Sequence, residues 1–185
     1  ATVLCGAASA AEPFTFEEAS AATGLKKHLE GDEKTRPWRY AHGAAWGDVD
    51  GDGDMDIITW HMSGNGKVIW LENEGDGNFA SAKLIQEVEH SSNMQDIKIA
   101  DMDMDGDKDV VVNTISSDEY IIWVENLDGN GNFGNPTIIL TNESTPNRIT
   151  LGDFDNDNDM DVAFTSVFHD EIGWLENLDG NGNFG

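Results

Sequence analysis

The chain has a single cysteine, Cys5, among 185 residues, so no disulfide can form within it. It is also poor in positive charge: 10 Lys and Arg stand against 36 Asp and Glu, for a formal net charge of −26. Nucleic acid and anionic membrane surfaces are held by clustered Lys and Arg, so that shortage argues against both as partners. No stretch reaches the roughly 20 apolar residues of a membrane-spanning helix, and membrane insertion is not expected. The chain does not begin with Met, and residues 1–10 read as the remnant of an export signal. Its small-residue cleavage site is Ala8-Ser9-Ala10, just before Glu12-Pro13, and the basic start of such a signal is missing. Leu4 sits where a lipidation signal wants a small residue, which disfavours an anchor on Cys5. The expected location is secreted or cell-surface.

What the chain does have is one acidic phrase three times over. It reads Asp48-Val-Asp50-Gly-Asp52-Gly53-Asp54-Met-Asp56, then Asp101-Met-Asp103-Met-Asp105-Gly106-Asp107-Lys-Asp109, then Asp153-Phe-Asp155-Asn-Asp157-Asn158-Asp159-Met-Asp161. The first aspartates follow one another at 53 and 52 residues. Calcium takes six to eight oxygen ligands, and carboxylates at alternate positions of a tightly wound loop supply them. Positions one, three and five offer side chains, and position seven its backbone carbonyl. Position nine, Asp56, Asp109 or Asp161, is the expected bidentate ligand. A sharp turn is needed at position six, where Gly53, Gly106 and Asn158 are the residue types that tolerate it. Up to three Ca2+ ions are therefore expected, and they would offset six of the 26 negative charges.

An EF-hand shares the first half of this pattern but needs a Glu at position 12 and flanking helices. Position 12 here is Thr59, Val112 or Phe164, and the residues after each loop form β-branched and aromatic runs that favour strands. Solvated Asp-Gly turns without metal are the bland alternative for one copy, and three copies in register argue against it.

A second phrase follows each loop: Trp70-Leu-Glu72-Asn73, Trp123-Val-Glu125-Asn126 and Trp174-Leu-Glu176-Asn177, each continuing into a Gly/Asn-rich stretch that ends on Phe79, Phe133 or Phe184. Such stretches join antiparallel strands. In the second repeat the strands are expected over residues 95–100, 109–114, 120–125 and 133–140. Four short strands with a period near 50 define a β-propeller blade. The fold class is all-β, with four-stranded antiparallel blades over 41–94, 95–146 and 147–185, the last incomplete, after a lead-in at 11–40. Three repeats cannot close a ring of at least about four blades, so the chain is expected to be a fragment whose partners include the remaining blades. The recurring tryptophans are expected to pack between blades rather than to form a sugar platform.

These loops and the apolar strands after them resemble the FG-GAP and VCBS repeats of integrin α-subunit propellers and secreted bacterial proteins. The lead-in from Phe16 to Leu25, followed by His42-Gly43-Ala-Ala-Trp46-Gly47-Asp48, is similar to the opening of bacterial members. The resemblance covers residues 14–185 and implies a propeller, commonly seven-bladed, with calcium in the blade loops. Asn158 in place of the loop Gly, and Lys108 in place of an apolar residue, depart from the family pattern.

Function is expected where the repeats disagree, because binding residues sit on loops held by a rigid scaffold. The loops after each second strand and the blade-to-blade connections diverge, and they share the face opposite the acidic loops. Trp38, Arg39, Tyr40, His42, His61, His90, Phe168 and His169 lie on or beside that face and are the candidate ligand-binding residues. Adhesion or recognition of an extracellular glycan or protein is the expected role. The alternative is the propeller portion of a secreted polysaccharide-active enzyme such as a lyase, with His and Tyr or Arg as acid and base. No nucleophile motif or paired-carboxylate constellation supports that alternative, and no catalytic residue is assigned.

Overall fold

The computed structural model describes residues 43–63, 65–88, 94–114, 120–141, 146–166 and 169–185. Blade one consists of β1 (Ala44–Gly47), β2 (Asp56–Ser63), β3 (Asn65–Leu71) and β4 (Lys83–Val88). Blade two repeats it with β5 (Met94–Ala100), β6 (Asp109–Thr114), β7 (Tyr120–Val124) and β8 (Thr137–Leu140). Blade three has β9 (Pro146–Gly152), β10 (Asp161–Ser166) and β11 (Glu171–Leu175). Each sheet is antiparallel and ordered as its strands follow in sequence. The fold is all-β, with no helix among the described residues, and the sheets do not close into a barrel.

The acidic loops set the register. Each second strand begins on the last aspartate of its loop, which faces the end of the first strand: Gly47 pairs with Asp56, Ala100 with Asp109, and Gly152 with Asp161. The run that follows is buried over residues 56–60 of β2 and only in part in β10, while in β6 all six residues are buried because blades one and three cover both of its faces. Stacking brings the first strands together, β1 against β5 and β5 against β9. Arg148 reaches across the second junction and donates to the Gln95 carbonyl at 2.9 Å.

Two cores result, one per junction. Between blades one and two lie Ile58, Trp60, Val68 and Trp70 against Val110, Val112, Ile122 and Val124. Between blades two and three, Met102, Val111, Ile121 and Trp123 meet Ile149, Val162 and Phe164. Two of the three repeated tryptophans, Trp70 and Trp123, pack between blades as their recurrence predicts, whereas Trp174 is exposed. Trp70 lies on Gly131 of blade two and Trp123 on Gly182 of blade three, so closely that a Cβ at either glycine would overlap the indole.

Two boundaries differ from the sequence reading by more than one residue. The fourth strand of blade two begins at Thr137 rather than Phe133. Phe133 instead makes an isolated bridge with Asn126, and Pro136, which has no N–H for a ladder, precedes the strand. His61 was expected in a loop, but β2 runs to Ser63 and pairs His61 with Lys67 of β3.

Candidate metal centres and the opposite face

All three acidic loops wind in the same way. Position six is left-handed in each, with φ of 95° at Gly53, 101° at Gly106 and 80° at Asn158. Asn158 thus adopts the glycine conformation, as short polar side chains can. Position four is left-handed too, at Gly51, Met104 and Asn156, with φ of 73°, 61° and 72°. Spacing alone did not reveal that second turn, since the three residue types there have little in common.

These two turns fold the odd-numbered carboxylates inward. Oxygens of Asp48, Asp50 and Asp52 lie within 4.8 Å of one another, as do those of Asp101, Asp103 and Asp105. One oxygen of each first aspartate is tied to the turn, Asp48 Oδ2 accepting from the Gly53 N–H at 3.1 Å and Asp101 Oδ2 from Gly106 at 3.1 Å. The other oxygens, Asp48 Oδ1 and Asp101 Oδ1, are buried without a hydrogen-bond partner. A desolvated carboxylate oxygen is costly unless a donor or a cation meets it. The donor set is all oxygen and anionic, which fits a hard divalent cation such as calcium.

The third loop differs. Its converging trio is Asp153, Asp155 and Asp161. Asp153 Oδ1 is engaged by the N–H groups of Asn156 at 2.6 Å and Asp157 at 3.1 Å. The orphaned oxygen here is Asp159 Oδ1, on a buried side chain at position seven. In the first two loops the position-seven carboxylates, Asp54 and Asp107, lie beside the turn glycines Gly75 and Gly129.

Position nine is the joint between loop and blade. Asp56 accepts from the N–H of Val49 at 3.1 Å and of Asn73 at 2.7 Å, one on each oxygen. Asp109 does the same with Met102 at 3.0 Å and Asn126 at 2.8 Å, and Asp161 with Phe154 at 3.0 Å and Asn177 at 2.9 Å. All three are fully buried. Asp161 lies in the converging trio of its loop, whereas the trios of the first two loops are formed by positions one, three and five. Sequence reasoning missed the asparagine partners, and it missed Glu72 and Glu125, whose carboxyl groups act on Asp50 and Asp103. The recurring Trp-x-Glu-Asn phrase carried that signal.

Burial and crowding raise several of these carboxyl groups above the ordinary range. Asp50 is pushed up to about 6, first by desolvation and then by the charge of Asp56. Asp109 reaches about 6 because burial outweighs the N–H groups of Asn126 and Met102. Asp159 also rises to about 6, through desolvation and then its contact with Asp157. Without a counter-ion the loops therefore resist full ionisation.

Of the candidate ligand-binding residues, Trp38, Arg39, Tyr40, His42, His90 and Phe168 lie outside the described residues. His61 has a place in the backbone of β2. His169 is exposed in the turn before β11, where its N–H donates to Ser166 Oγ at 3.3 Å.

Stacked antiparallel sheets joined at their first strands, each with an acidic loop at one end, define a propeller-type repeat protein. The family model for the FG-GAP-like repeat matches residues 48–112 and 101–164, and the chain belongs to that family. Each match runs from one acidic loop into the second strand of the next blade, so the matched unit crosses a blade junction. Searches of curated proteins and of solved structures return no match.

Proposed function

We propose that this chain is a calcium-binding extracellular repeat module, in which metal in the acidic loops holds the blades and the opposite face recognises a glycan or protein. The observation that carries the calcium reading is the pair of buried, unpartnered oxygens, Asp48 Oδ1 and Asp101 Oδ1, each beside two further converging carboxylates. The ion supplies positive charge where the chain has gathered only negative, and Asp48, Asp50 and Asp52, with their equivalents, would hold it. Asp153 has already spent its first oxygen on backbone N–H groups, so the third loop is the weakest of the three sites.

Calorimetric titration of metal-free protein is expected to resolve two tighter sites and one weaker. Asp52→Ala or Asp105→Ala is expected to remove one tight site and leave the other. A melting temperature unchanged by excess chelator would overturn the calcium reading. The recognition role is tested separately by passing the protein over immobilised acidic polysaccharide. Retention without new unsaturated ends is the expected outcome. Turnover that disappears in His61→Ala or His169→Ala would replace the binding module with an enzyme.

A further inference from the structure

Hydrogen bonds join the three acidic loops to one another. Val49 stands between Asp48 and Asp50 of the first trio, and its carbonyl accepts from Asn126 Nδ2 of blade two at 2.9 Å. The Asn126 N–H donates to Asp109 Oδ1 at 2.8 Å, and Asp109 Oδ2 accepts from the Met102 N–H at 3.0 Å. Met102 stands between Asp101 and Asp103 of the second trio. Its carbonyl accepts from Asn177 Nδ2 of blade three at 2.8 Å, and the Asn177 N–H donates to Asp161 Oδ1 at 2.9 Å. Asp161 belongs to the third trio. One relay of bonds no longer than 3.0 Å thus runs from loop to loop across both blade junctions.

The relay is closed to water. Val49, Met102, Asp109, Asn126, Asp161 and Asn177 are all at most 1% exposed. Solvent cannot replace a bond that opens there, and the members of a buried polar network strengthen one another. Ordering the second trio fixes Met102 between its two aspartates. Met102 in turn fixes Asp109 and the Asn126 N–H, and with them the amide that holds Val49. The first loop then has less left to order when it takes up its own ligand, which is positive coupling without any large movement.

We propose that Asn126 and Asn177 are positioning residues that couple neighbouring loops, so that a calcium ion in one loop tightens the site in the next. The coupling rests on the calcium reading of the loops and goes beyond it, since three independent sites would satisfy that reading. Linkage makes the effect equal in both directions. Charge alone gives the opposite sign. A first loop of five aspartates with a bound dication carries −5 + 2 = −3, whereas an empty Asp52→Ala loop carries −4. The more negative neighbour attracts a cation more strongly. Loss of a neighbouring site therefore weakens binding if the relay acts, and strengthens it if only charge does.

Calcium titrations followed by NMR at the Gly53 and Gly106 N–H groups, which donate to Asp48 and Asp101, read the first two loops separately. They are run in about 0.15 M potassium chloride, where the Debye length is about 8 Å. In Asp52→Ala the second site, and in Asp105→Ala the first, is expected to be weaker than in the intact protein by the same factor, about fivefold or more. In Asp52→Ala, calcium in the second loop is also expected to slow hydrogen exchange of the Val49 N–H several-fold, although its own loop cannot bind. Asn126→Ala, which keeps the backbone N–H and removes the amide, is expected to abolish both effects. Asn177→Ala breaks the second junction instead, and is expected to uncouple loops two and three while loops one and two stay coupled. Should Asn126→Ala fail to fold, equal weakening in Asp52→Ala and Asp105→Ala still decides the matter. Sites that bind calcium with affinities unchanged or tightened by loss of the neighbour overturn the coupling and leave the calcium reading standing. Coupling that persists in Asn126→Ala overturns the assigned relay. No binding in any loop overturns the calcium reading and the coupling with it.

Discussion

Asn126 and Asn177 concentrate more of the architecture than any acidic residue does. The Asn126 backbone N–H binds Asp109, its amide nitrogen crosses to Val49, and its amide oxygen accepts from the Gly131 N–H at 3.2 Å. One side chain thus ties the loop of blade one to the turn of blade two. Asn126→Ala leaves the buried Val49 carbonyl and the Gly131 N–H without those partners, and is expected to destabilise the protein by about 3 kcal/mol in chemical denaturation. Asn73 holds the same place in blade one, where among the described residues its amide nitrogen bonds the Met55 carbonyl of its own blade, at 3.2 Å. Asn73→Ala is expected to cost clearly less, and equal losses would refute the cross-blade role. The repeated asparagine was legible in the sequence, but its partner was not. Val49 and Asn126 are 77 residues apart, and nothing local in either segment marks the other.

At the scale of the element, the second strands were legible because a β-branched run begins directly after each loop. The third strands followed from the tryptophan phrase. Fourth strands were harder, because their pairing is irregular. Val68 pairs with Gln86 and Ile69 with Leu84, leaving Ile85 as an extra residue; Ile121 pairs with Leu140 and Ile122 with Ile138, leaving Ile139. A bulge of this kind bends a strand and re-aims a side chain. Ile85 and Ile139 both pack against the inter-blade cores. No turn residue or alternation announces such an insertion. The same position in successive third strands also separates burial from chemistry. Ile121 is fully buried and Ile172 is 82% exposed, although both are isoleucines at equivalent places. Ile121→Ala is expected to cost about 2–5 kcal/mol, and Ile172→Ala to stay within about 0.5 kcal/mol in the 185-residue chain. Equal effects in urea unfolding would contradict the blade assignment.

Across the whole molecule the net charge of −26 and the three loops pose one electrostatic problem. Asp50, Asp109 and Asp159 have pKa values near 6 in the folded, metal-free protein, against 3.8 for the unconstrained side chain. Between those values the folded state holds protons that the unfolded chain has released. Stability then falls as pH rises, since unfolding is favoured wherever the unfolded state binds fewer protons. Metal-stripped protein is therefore expected to lose melting temperature between about pH 4 and about pH 6, with these three groups adding no further slope above that. On the proposed calcium reading the ion binds the ionised carboxylates, so its affinity should rise across the same interval. Scanning calorimetry with saturating calcium is expected to reverse the trend, giving a melting temperature that climbs as the metal-free one declines. Parallel curves with and without calcium would separate the raised carboxyl groups from the metal sites. Diverging curves would mean that the ion offsets the crowding that the loops create.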